Sequence, residues 1–101
     1  MTLLQKKILL QQIIWDYNIP VDEIEEVLKG HKQMTGHYTR SMLIRRLLET
    51  YPWFTLIDMF TPEELKIMLD NDVIKTLRSP SLQKKYEFVQ KRLQEIIPTA
   101  G

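Results

Sequence analysis

Thr61-Pro62-Glu63-Glu64 fixes a helix start more tightly than any other four residues of the chain. The threonine hydroxyl can accept from an amide that has no intrahelical partner, proline suits the first helical position, and a glutamate three residues after the cap reaches back to the cap's own amide. Signals of the same kind recur along the sequence. Thr2 with Gln5 has the form of a capping box. Ile19-Pro20 opens a second helix whose Asp22 and Glu23 favour its positive end, and Lys29-Gly30 closes it. Thr39 caps a third helix, Asp70 or Asn71 a brief one, and Ser79-Pro80 or Ser81 the last. Pro52 and Pro98 end helices. Punctuation this dense leaves room only for short helices, and no segment alternates as a strand would. The expected architecture is all-α: a compact single-domain bundle of about six or seven short helices over 1–97, with a frayed C-terminal tail at 98–101.

Helical periods fill the spaces between these signals. Ile24, Val27 and Leu28 make one stripe, while Leu43, Ile44, Leu47, Leu48 and Tyr51 make another. Trp53 to Phe60 reads as a short, very apolar helix, and the next holds Leu65, Ile67, Met68 and Leu69. Val73, Ile74 and Leu77 follow, then the stripe Leu82, Tyr86, Val89, Leu93, Ile96 and Ile97. His31 to Tyr38 has no apolar period and reads as a loop. Trp15, Trp53 and Phe54 are expected among the largest contributors to the core. The first helix, expected to run to about Asp16, is different in kind. Its apolar residues, from Leu3 and Leu4 through Ile8 to Trp15, project in nearly every direction, so it is either central in the core or shared with a second copy as a homodimer.

Several function classes fall away on composition. The chain has no cysteine, which excludes disulfides, thiolate catalysis and cysteine-based zinc sites. A cytoplasmic location is the expectation. Its longest apolar runs are three residues, far short of a membrane span, and its N-terminus lacks the order of a signal peptide. The formal charge is +1, but the signs come in blocks. Residues 29–48 hold five bases and no acid, and residues 49–73 hold six acids and one base. Alternating blocks on a compact body suggest local patches and internal pairing more than one broad nucleic-acid surface.

No catalytic, metal or cofactor site is legible. His31 and His37 lie six residues apart with no local carboxylate or cysteine to complete a ligand set. Asp22, Glu23, Glu25 and Glu26 read as a solvated helix start. Ser41, Ser79 and Ser81 lack a nucleophile elbow, and the last two look like caps. Two surfaces remain. Lys29, Lys32, His37, Tyr38, Arg40, Arg45 and Arg46 form a candidate anion or nucleic-acid patch, with Tyr38 able to stack. Its loop of about eight residues is too long for a helix-turn-helix. On the last helix, Lys84, Phe88 and Lys91 align on the side away from the stripe, with Lys85 and Arg92 alongside. This is a candidate contact surface for an acidic partner. The expectation for Phe88 itself is that it packs under a neighbouring loop while the cations stay solvated.

Four stretches also carry a resemblance: Trp15-Asp16-Tyr17-Asn18-Ile19, Glu26-Val27-Leu28-Lys29-Gly30, His37-Tyr38-Thr39-Arg40, and Leu77-Arg78-Ser79-Pro80 with Lys85-Tyr86-Glu87-Phe88-Val89. Together, over about Ile13 to Leu93, they resemble a family of small bacterial all-helical proteins of unknown function. That family is associated with genes beside nucleotidyltransferase-type toxins of the abortive-infection class. The resemblance carries no catalytic motif and transfers no functional residue. It implies a partner or antitoxin-like role. The expected function is therefore a non-enzymatic protein–protein interaction or regulatory protein, with a small nucleic-acid-binding module as the alternative.

Overall fold

The chain folds as its helix starts dictate. A computed structural model describes residues 1–14 and 19–97. The described residues form seven helices: α1 Leu3–Gln12, α2 Val21–Leu28, α3 Arg40–Thr50, α4 Trp53–Met59, α5 Pro62–Met68, α6 Asn71–Thr76 and α7 Pro80–Ile96. Both capping boxes form, at Thr2/Gln5 and at Thr61/Glu64. Thr39, Asp70 and Ser79 accept from the amides of Met42, Val73 and Leu82. Helix α1 stops at Gln12 with Ile13 as its C-cap, short of the expected end near Asp16, while the core placement of Trp15 and the tail at 98–101 lie outside the described residues.

Helix α2 ends as its Lys29-Gly30 predicts. Gly30 has φ +83°, and the amides of Gly30 and His31 donate to the carbonyls of Val27 and Glu26. This is the Schellman arrangement, which only a residue at ease in the left-handed region closes without strain. The next segment departs from expectation. His31 to Tyr38 is not a plain loop, because Met34–Thr35 (β1) and Tyr38–Thr39 (β2) pair antiparallel around Gly36 and His37. Gly36 takes φ +57° at the first turn position, and a β-carbon there would lie 3.1 Å from Ile19 Cδ1. Two-residue strands are too short to show a period, so the glycine was the only sequence signal for this turn.

Helix α3 lies at the centre. Leu43, Ile44, Leu47 and Leu48 are all buried, and α3 packs against α2, β2, α4 and α6, while α7 covers α5 and α6. The radius of gyration, 13.4 Å, matches the ~13 Å of a compact body of about 100 residues. Two core assignments need correction. Phe54 is 70% exposed, because α4 turns Leu56 and Met59 inward and has only one buried side to offer. Ile96 is exposed as well, at the end of α7 beyond the last residue it buries, Leu93. Trp53 does pack against the core and meets Tyr86 edge-on, with ring centroids 6.2 Å apart.

Short helices leave many C-terminal carbonyls without intrahelical partners, and here side chains from elsewhere reach several of them. Arg46 donates to Ile13 O at the end of α1, and the Tyr51 hydroxyl donates to Leu9 O. Arg40 donates to Leu28 O at the end of α2. Gln90 and Gln83 of α7 donate to Leu69 O and Leu77 O, the C-caps of α5 and α6. Lys66 does the same for Ile97 O, the C-cap of α7.

Tyr86 is the exception to this economy. Its ring is fully buried, and its hydroxyl has no hydrogen-bond partner among the described residues. Burial raises its pKa above the ordinary 10.0, so it stays a neutral phenol. A buried hydroxyl without a partner costs about 1–3 kcal/mol in desolvation. Tyr86→Phe is therefore expected to leave stability unchanged or raise it by about 1 kcal/mol, read from denaturant melts. A loss of that size instead would mean that the hydroxyl is bonded.

Candidate functional site

Of the two surfaces marked in the sequence, only one stays together. On α7 the buried residues Tyr86 and Leu93 define an inner side. Lys84, Lys85, Phe88, Lys91 and Arg92 are all exposed on the other. Phe88 does not pack under a loop: it is 65% exposed, since none of the described elements crosses the outer side of α7 to cover it. Arg92 pairs with Glu95 at 3.0 Å, and Lys85 Nζ lies 5.4 Å from the Tyr86 ring centroid. Lys84 and Lys91, which flank Phe88, have no hydrogen bond or ion pair among the described residues. The result is an aromatic side chain held in water within a cationic border.

The basic segment is dispersed by the fold. Tyr38 is fully buried, so it cannot stack on a base. Its ring lies 4.3 Å from the His37 ring and 4.9 Å from the Arg46 guanidinium. Arg40 and Arg46 are half-buried and cap helix carbonyls, as described above. Lys32 pairs with Glu23 at 3.1 Å. Lys29 and Arg40 face a groove of about 440 Å³ between α1, α2 and α5, floored by Leu10, Phe60 and Met68. Arg45 and Arg46 line a different cavity, of about 540 Å³, together with Arg78, a residue the sequence reading did not connect to them. Nothing in a sequence separation of 33 residues between Arg45 and Arg78 signals that meeting.

The acidic start of α2 is largely solvated, with Asp22 81% exposed, but its carboxylates also meet neighbouring side chains. Glu23 accepts from Thr35 Oγ1 at 2.7 Å and from Lys32 Nζ at 3.1 Å, tying the hairpin to α2. Glu26 meets His31 Nδ1 at 3.0 Å, and Asp22 lies 3.6 Å from Lys7. Glu25 Oε1 is buried at the wall of the 440 Å³ groove without a partner among the described residues. No group of three or more His, Asp or Glu side chains able to hold a metal occurs among the described residues. No described helix is long and apolar enough to cross a membrane. Ser79 caps α7 as expected, whereas Ser81 lies within the helix.

Comparison with family models, curated proteins and solved structures finds no match to this chain.

Glu23 gives the region a pH dependence. The Thr35 hydroxyl first, then the Lys32 ammonium, hold its carboxyl below the ordinary 4.5. A carboxylate with a depressed folded pKa stabilises the folded state fully above its unfolded value, and that contribution is lost as pH falls through the folded one. Below pH 4.5 the native chain should therefore lose stability faster than Glu23→Gln, with coincident pH slopes near neutrality. Thermal melts across that range provide the comparison, and identical acid slopes would count against the tie.

Proposed function

We propose that this chain is a non-enzymatic protein-binding module whose contact helix is α7. The observation that carries the reading is the 65% exposure of Phe88 between Lys84 and Lys91. A large aromatic side chain kept in water forgoes ~1.5–3 kcal/mol of burial, and aromatic anchors inside a polar rim are where binding energy concentrates. The cationic border fits an acidic partner surface with an apolar pocket. The family resemblance supplies a specific candidate: a nucleotidyltransferase-type toxin of the abortive-infection class, with this chain in an antitoxin-like regulatory role in the cytoplasm. Dispersal of the basic segment favours this reading over a nucleic-acid-binding module.

The test separates stability from binding. Phe88→Ala is expected to change the unfolding free energy by less than ~0.5 kcal/mol, as exposed substitutions do. The same change should weaken the complex with the nucleotidyltransferase of the same genome, measured by surface plasmon resonance. Lys84→Glu with Lys91→Glu should chiefly slow association. Unchanged affinity in Phe88→Ala would remove α7 as the contact helix.

Helix α1 supports a second contact, between two copies of the chain. Leu10 is buried and Leu9 packs at the core edge, while Leu3, Leu4 and Ile8 are exposed. Leu4 and Ile8 lie one helical turn apart on the side away from Leu10. Pairing these faces would make an isologous dimer. Light scattering at high micromolar concentration should report a dimer that Leu4→Glu with Ile8→Glu dissociates, and a strict monomer in the native chain would end the idea.

A further inference from the structure

The cavity between the end of α1, α3 and the α6–α7 connection has an unusual balance of donors and acceptors. Its acid among the lining residues is Glu49, and both carboxylate oxygens are engaged. Oε1 accepts from Arg45 Nε at 3.4 Å, and Oε2 accepts from the main-chain amide of Arg78 at 3.0 Å. Glu49 thus acts as a strut that holds the two arginines at one cavity. Neither the Nη groups of Arg45 nor the guanidinium of Arg78 has a hydrogen-bond partner among the described residues. Gln12 lines the same space, and its side-chain amide lies 3.3 Å from the Tyr51 hydroxyl, whose single proton goes to Leu9 O; the amide NH2 carries two donors, of which that hydroxyl oxygen takes at most one. The neighbouring Arg46 is fixed by Ile13 O and the Tyr38 ring and serves as a wall.

We infer that this cavity binds a small phosphate-bearing ligand, with Arg45, Arg78 and Gln12 as its contacts. Two guanidinium forks and an amide offer donors from three separate side chains. A terminal phosphate, with three acceptor oxygens, matches that set better than a carboxylate with two. Guanidinium groups also suit phosphate because they are planar, permanently charged and bidentate. The volume of about 540 Å³ lies within the ~300–1,000 Å³ typical of small-molecule sites. It leaves room for the body of an organic phosphate against Ile13. The site is separate from the outer face of α7 and stands or falls independently of the protein-binding reading.

The test is titration of the full chain with pyrophosphate, adenosine monophosphate and adenosine, followed by calorimetry or amide chemical shifts. Pyrophosphate and the nucleotide are expected to bind saturably, and adenosine, lacking phosphate, is not. Arg78→Ala keeps the main-chain amide that braces Glu49, so it should melt like the native chain. It should nevertheless weaken phosphate binding about tenfold or more, the loss expected when one charged hydrogen-bonding partner is removed. Lys84→Ala with Lys91→Ala removes more charge elsewhere and should leave phosphate affinity unchanged. Absence of saturable pyrophosphate binding overturns the inference, as does equal affinity in native chain and Arg78→Ala. Oligonucleotide binding with a salt slope of several phosphates, undiminished in Arg78→Ala, would replace it with a diffuse polyanion surface.

Discussion

Seven helices among the described residues of so short a chain create a problem that dominates the structure: each helix end exposes carbonyls that its own turns cannot satisfy. At the N-termini the matching amides are met locally, by Thr2, Thr39, Thr61, Asp70 and Ser79. Among the described helix C-termini only that of α2 closes on a glycine. Helices α1, α5, α6 and α7 draw on side-chain donors from other elements, and these donors help to fix which helices become neighbours. Arg46 and Tyr51 bind the end of α1 to α3, while Gln83 and Gln90 bind the ends of α6 and α5 to α7. Cations suit this task because the C-terminal end of a helix is its negative end.

Apolar burial supplies the energy and the polar braces supply the register. Leu43, Ile44, Leu47 and Leu48 are each almost wholly buried, and each contributes about 1.5–3 kcal/mol. Together these four rival the ~5–15 kcal/mol net stability of an ordinary domain. Burial alone does not specify rotation or sliding of one short helix on another, since any apolar side fits roughly. A guanidinium on a single carbonyl does. The exposed ion pairs are minor by comparison: Lys7 with Asp22 leaves an aspartate side chain 81% exposed, and such pairs are worth about 0–1 kcal/mol.

This division explains which features could be read from the sequence. Capping boxes and the Lys29-Gly30 stop are written within four residues, so they were legible, as were the stripes of α2 and α3. The braces were not: Arg46 reaches a carbonyl 33 residues away, and Gln90 one 21 residues away. Without them the basic segment looked like one patch, when the fold had spent Arg40 and Arg46 on carbonyls and buried Tyr38 beside them. The hairpin escaped notice because two residues per strand cannot show alternation. Phe54 and Phe88 were misplaced for a related reason. A helix period says which residues share a side, but not whether a second element will arrive to cover that side.

The same reasoning separates residues that serve the fold from those left for other uses. Gln83 and Gln90 lie toward the inner side of α7 and are consumed by the ends of α6 and α5. Lys84, Phe88 and Lys91 brace nothing, and α7 would pack against α5 and α6 equally well without them. Arg45 and Arg78 are intermediate: Glu49 takes Nε of Arg45 and the main-chain amide of Arg78, and it leaves the Nη groups of Arg45 and the guanidinium of Arg78 uncommitted among the described residues. Where a fold depends so heavily on side-chain donors, a cluster of donors that satisfies no carbonyl has no structural reason to be there. Two such clusters stand out among the described residues, one apolar at its centre and one rich in arginine. Their different chemistry is the reason we propose different ligands: a protein surface for the first and a phosphate for the second.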